Sequence, residues 1–151
     1  MAELKERLRA DLHAAMRARD QVRMRTLRMA LTSITNEEVA GAAARDLTDD
    51  EIVKVLTREA RKRREAAEAF SAAGRTDQAA AERAEGEILA DYLPAQLGDD
   101  ELAALVDAAI AETGASGMAS MGQVMKTVTP RIAGRADGAR VAAEVRRRLS
   151  G

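Results

Sequence analysis

Three groups of basic side chains carry the most evident chemistry in this chain. The first is Arg17, Arg19, Arg23, Arg25 and Arg28, with Asp20 the only acid among them. The second is Arg58, Arg61, Lys62, Arg63 and Arg64, beside Glu59 and Glu65; the third is Lys126, Arg131, Arg135, Arg140, Arg146, Arg147 and Arg148. A guanidinium is a planar fork of donors that matches phosphate or carboxylate oxygens, so each group could hold a polyanion. Each could equally be a solvated face whose long stems cover apolar neighbours. Residues 61–64 wrap more than half of a helical turn, so only part of the second group shares a face. The third is the least balanced. Residues 98–114 hold five acids and no base, whereas residues 115–151 hold seven bases against two acids. Such asymmetry can define a binding face that a net charge of −1 hides.

Catalytic chemistry is harder to find. His13 is the single histidine; it flanks a leucine stripe and has no evident triad partner, so a boundary or surface position is expected. Glu37 and Glu38 are neighbours at a helix end and point about 100° apart, which suits solvation better than a converging acid–base pair. There is no cysteine, hence no thiolate chemistry and no disulfide. No phosphate loop, dinucleotide fingerprint, zinc spacing or nucleophile elbow appears, and neither a metal nor a cofactor is expected. Phe70 and Tyr92 are the only aromatics, which argues against reading of unstacked bases. The chemistry left to the arginines is contact with the backbone of a folded RNA. Gly122, Gly134 and Gly138 lie among the C-terminal bases and would let another backbone come close.

The elements that position these residues read as helices. A core must be built from Leu, Ile, Val, Met and Ala, and two prolines with few β-branched runs leave an all-α composition. The spacing predicts a helix over 2–17, with Leu4, Leu8, Leu12 and Met16 on one face, and a second over 20–40 with Val22, Met24, Leu27, Leu31 and Ile34, stopped by Gly41. Thr48 and Glu51 form a capping box and Leu47 with Ile52 a hydrophobic staple, which opens a third helix ending at Gly74. A fourth runs over 76–92, with Ile88, Leu89 and Tyr92 inward and Gly86 as a weak point.

Pro94 breaks the pattern. Gly98 caps a fifth helix over 99–112, inward through Leu102, Leu105, Val106 and Ile110 and stopped by Gly114. A sixth covers 120–133, with Pro130 bending or shortening its last turn, and a seventh runs from a cap at Asp137 to Leu149. The expected organisation is a helical N-terminal domain over 1–97 and a small three-helix tail domain over 98–151. The charged, amphipathic start gives no leader or membrane span, so a cytoplasmic location is expected.

The motifs resemble those of the GatB/YqeY family. Gly114-Ala115-Ser116, Met121-Gly122-Gln123-Val124-Met125 and Gly134-Arg135-Ala136-Asp137-Gly138 are similar to its C-terminal half. Thr26-Leu27-Arg28-Met29, Asn36-Glu37-Glu38, Arg63-Arg64-Glu65-Ala66 and Tyr92-Leu93-Pro94-Ala95-Gln96-Leu97 are similar to its N-terminal half. The resemblance implies a helical domain followed by a three-helix tail. In the B subunit of glutamine-dependent tRNA amidotransferases, a carbon–nitrogen ligase with glutamine as amido-N-donor, similar domains form an appendage that engages tRNA while catalysis lies elsewhere. By that likeness this chain is a tRNA-binding accessory protein without a catalytic centre, touching RNA through Lys126, Arg131, Arg135 and Arg140, with Gly122, Gly134 and Gly138 allowing close approach. Family members often carry lysine where Gln123 stands and charged residues where Ala119 and Ser120 stand. A protein-interaction module docking on an amidotransferase or another translation component through Met118, Met121 and Met125 is the alternative. The RNA reading needs the tail's cations gathered on one open surface and not neutralised by carboxylates.

Overall fold

The computed structural model describes residues 2–150, and among these the secondary structure is helical throughout. The chain divides into two compact units, residues 1–93 and 94–151.

The first unit holds α1 (Glu3–Ala18), α2 (Gln21–Glu38), α3 (Asp49–Ala72) and α4 (Thr76–Ala90). α1 pairs with α2 and α4 runs back along α3. Leu8, Leu27, Ala30, Ile34, Ile52, Leu56, Leu89 and Tyr92 form the core. The helical periodicity explains most of this burial, but Met16 and Val22 remain exposed at the α1–α2 tip. The start of α3 follows its local chemistry. The Thr48 hydroxyl accepts from the Glu51 N–H, the Glu51 carboxylate accepts from the Thr48 N–H, and Leu47 and Ile52 are both buried.

Among the described residues, three helices end in the same Schellman motif. α3 closes through Arg75 N–H to the Phe70 carbonyl and Gly74 N–H to that of Ser71, with Gly74 at φ +74°. α5 (Asp99–Thr113) closes the same way around Gly114 at φ +65°. α1 does so with Asp20 N–H on the Ala15 carbonyl and Arg19 N–H on that of Met16, but the left-handed residue is Arg19 at φ +55°. Glycine takes this conformation freely, whereas a side chain there costs about 1 kcal/mol. Gly41, expected to stop α2, does not: the helix closes on Val39 at φ −105° and Gly41 follows in a loop.

The second unit holds α5, a short 3-10 turn Met118–Ser120, α6 (Met121–Ile132) and α7 (Gly138–Ser150). Leu97, Leu102, Val106, Ala109, Val124, Val128, Ile132, Ala136, Val141 and Val145 are its core. Pro130 falls within the last turn of α6, which ends at Ile132. A proline earlier in the helix would break a central hydrogen bond; here it removes only a terminal one.

Candidate nucleic-acid interface

The loop between α6 and α7 is built by the Gly134–Gly138 segment. Ala133 and Gly134 both take positive φ, at +50° and +79°. Arg135 donates its N–H to the Ile132 carbonyl at 3.0 Å and accepts the Leu97 N–H on its own carbonyl at 2.8 Å. Its Nε reaches the Ala95 carbonyl at 3.3 Å, and its guanidinium lies 3.7 Å from Glu101. Ala136 is buried, and the Asp137 carboxylate accepts the Ala139 N–H at 2.8 Å to open α7. This segment therefore fastens residues 95–97 to the second core and starts a helix. Arg135 and Gly134 are spent largely on that task.

Three other tail cations face acids of α5. Arg140 lies 2.8 Å from Asp99 and Arg148 3.2 Å from Asp107. These two pairs are eight residues apart on each helix, so α5 and α7 run parallel and in step. Arg131 hydrogen-bonds Glu112 in the last turn of α5. Glu144 bonds both Arg147 and Arg148, and these two guanidiniums hold its carboxyl below the ordinary range. Arg135 and Arg140 thus come together over the first turn of α5, whereas Arg131 sits at its far end, and all three are paired with carboxylates, so the tail lacks the single surface of unneutralised cations expected from the sequence. Lys126 and Arg146 are exposed and form no ion pair among the described residues. The acid-rich stretch and the base-rich stretch of the sequence are each other's partners, and residues 94–151 hold seven of each charge.

These pairs are open to water. The Asp99, Glu101 and Glu112 side chains are 98%, 62% and 59% exposed. Such pairs contribute about 0–1 kcal/mol, so another anion can exchange for the carboxylate. A Cβ added at Gly122 or Gly138 would meet no atom within 4 Å, so both helix starts present open backbone.

In the first unit the basic group on α3 is consumed internally. Glu59 is buried and accepts from Ser33, Lys62 and Arg63; burial alone would raise its pKa, but these partners hold it below normal. Arg58 faces Glu37 at 3.4 Å. Glu38 is not solvated as expected: it is buried, and both of its oxygens accept from Lys5 Nζ, at 2.8 and 2.9 Å. His13 is exposed. At the α1–α2 tip, Arg23 lies 3.9 Å from Asp20 and Asp91, and Arg25 is 3.0 Å from Glu85. Arg17, Arg19 and Arg28 are exposed and make no ion pair among the described residues. Spacing alone located these arginines but could not tell paired from free ones, because every partner except Asp20 is distant in sequence.

Among the described residues no group of three or more His, Cys, Asp or Glu side chains could hold a metal ion. No helix is long and apolar enough to cross a membrane. Fold and surface together define an all-helical protein of two compact units whose polar chemistry is dominated by arginine–carboxylate pairing. Residues 5–149 match the family described as Yqey-like protein, and the chain belongs to it. No curated protein matches the chain.

Proposed function

We propose that this protein is a non-catalytic RNA-binding accessory of the kind found as the tail of glutamine-dependent tRNA amidotransferases. What carries the reading is the family match over residues 5–149, which spans both units and therefore the whole appendage-like arrangement. The tail would meet phosphate through Lys126, free on α6, and through Arg131 and Arg140, whose exposed carboxylate partners a phosphate can replace. Gly122 and Gly138 leave the backbone at two helix starts open to a close approach. Arg135 and Gly134 act by shaping the loop between those helices.

Prior pairing lowers the electrostatic gain. Four unpaired cations would give a log–log salt slope of about −3 to −4; with carboxylates to displace, the slope is expected to be shallower. Filter binding of the full chain to tRNA and to an unrelated RNA, over a series of salt concentrations, tests this. Salt-sensitive affinity that favours tRNA supports the reading, and equal or absent binding defeats it.

A docking role is the second reading, and one observation favours it. Met118 is 46% exposed, and Met121 and Met125 follow at helical spacing with part of their surface open. Binding to a purified amidotransferase that survives nuclease treatment and is lost on Met118→Glu would support that role over RNA contact.

A further inference from the structure

Lys54, Arg75, Arg83, Lys126 and Arg146 are exposed without an ion pair among the described residues, but they are spread over four helices and a loop. In the second unit, all arginines except Arg146 are committed to a carboxylate, and on α3 the buried Glu59 and its neighbours take up much of the positive charge. At the α1–α2 tip the balance is reversed. Residues 14–28 hold five arginines and one acid, and Arg17, Arg19 and Arg28 extend into solvent without an ion pair among the described residues. Arg25 lies on the same face of α2 as Arg28, three residues away, and is itself 60% exposed.

A second observation comes from the backbone. The Schellman ending occurs three times among the described residues. At α3 and α5 the left-handed position is glycine, which is the residue that conformation favours; at α1 it is Arg19. A strained conformation kept by a long cation at an exposed tip is accounted for if the side chain, and not the turn, is what the position supplies. Met16 and Val22, exposed on either side of the tip, complete a surface that is cationic with apolar patches.

We propose that this tip, through Arg17, Arg19 and Arg28, grips the phosphate backbone of a folded RNA and is the stronger of the protein's two RNA contacts. The inference rests on the RNA-binding reading above and relocates its main anchor to the first unit. The physical ground is that a cation with no carboxylate to give up releases its full share of counterions on meeting phosphate, whereas Arg131 and Arg140 must first exchange a partner.

The test uses the full chain and total tRNA in fluorescence anisotropy at several salt concentrations. Arg17→Gln/Arg19→Gln/Arg28→Gln is expected to weaken binding tenfold or more and to make the salt slope shallower by about 2 to 3. Lys126→Gln/Arg131→Gln/Arg140→Gln is expected to weaken it by a smaller factor. Affinity within twofold of the unmodified protein for the first variant, with a large loss for the second, overturns this inference and leaves the RNA-binding reading standing. No salt-sensitive binding by the unmodified protein overturns both. Arg19→Gly separates recognition from folding, since it removes the charge while relieving the turn. A Tm unchanged or raised together with weaker binding supports the role given to Arg19, and full affinity overturns it.

Discussion

Glu51 joins a helix start to a salt bridge. Its carboxylate accepts from the Thr48 backbone and from both terminal nitrogens of Arg45, at 3.0 and 2.6 Å. The Arg45 hydrogen bonds are the largest cause, with the Thr48 N–H next, of a pKa lowered from 4.5 to about 2. A carboxylate depressed on folding stabilises the native state above its unfolded pKa, and that contribution fades as pH falls through the folded value. Thermal melts followed between pH 5 and pH 2 are therefore expected to fall less steeply for Glu51→Gln than for the unmodified protein. Lys5 and Glu38 form an enclosed ion pair, with side chains 9% and 11% exposed. The hydrogen bond from Lys5 is the main reason the Glu38 carboxyl sits below its ordinary range. Removing one member strands the other, so Lys5→Met is expected to destabilise by about 2 kcal/mol in urea unfolding. A loss below a few tenths would show the pair to be dispensable. Tyr92 is tied down by similar means: burial first, then its hydrogen bond to Asp11, raises its pKa, and Arg7 covers the ring at 4.5 Å.

Among the elements, α4 carries its own weak point. Gly86 lies inside the helix, and a Cβ there would sit 3.8 Å from the Arg63 Cβ, an ordinary contact. Gly86→Ala is thus expected to stabilise by about 0.5–1 kcal/mol, read from the denaturant midpoint. Destabilisation would mean that α3 and α4 approach too closely for a methyl group. The α5–α7 pairing makes a prediction of the opposite kind. Asp99→Asn/Asp107→Asn removes two exposed carboxylates, which should cost less than about 1 kcal/mol in total stability. It should also free Arg140 and weaken the hold on Arg148, so tRNA affinity at low salt is expected to rise. Unchanged affinity in the anisotropy assay would show that these guanidiniums take no part in binding.

At the scale of the whole molecule, charge is nearly balanced in each unit, with 17 bases against 18 acids over residues 1–93 and seven of each beyond. Long-range attraction to a polyanion is therefore small, and recognition must depend on the local surfaces where pairing fails. Stability is independent of those surfaces, because each unit is held by its own apolar core. In about 0.5 M salt, RNA binding is expected to vanish while the helical circular dichroism signal persists. Crosslinking in cells, with sequencing of the bound RNA and identification of bound protein, would then name the physiological partner.

Helices, caps and most core positions followed from local sequence. Thr48 with Glu51, Gly74, Gly114 and Asp137 act on backbone groups within a few residues of themselves, so their effect can be read without knowing the fold. The same holds for Val124, Val128 and Ile132, whose spacing alone puts them on one face. The fate of the charges was decided elsewhere. Asp99 and Arg140 are 41 residues apart, Lys5 and Glu38 are 33 apart, and whether such residues meet depends on which helix faces which. A one-dimensional charge imbalance between residues 98–114 and 115–151 thus became neutrality in three dimensions, because folding laid one stretch against the other. Tertiary structure alone could show that Arg17, Arg19 and Arg28 are among the cations left free while Arg131, Arg135 and Arg140 are paired, since an ion pair is a property of distance in space.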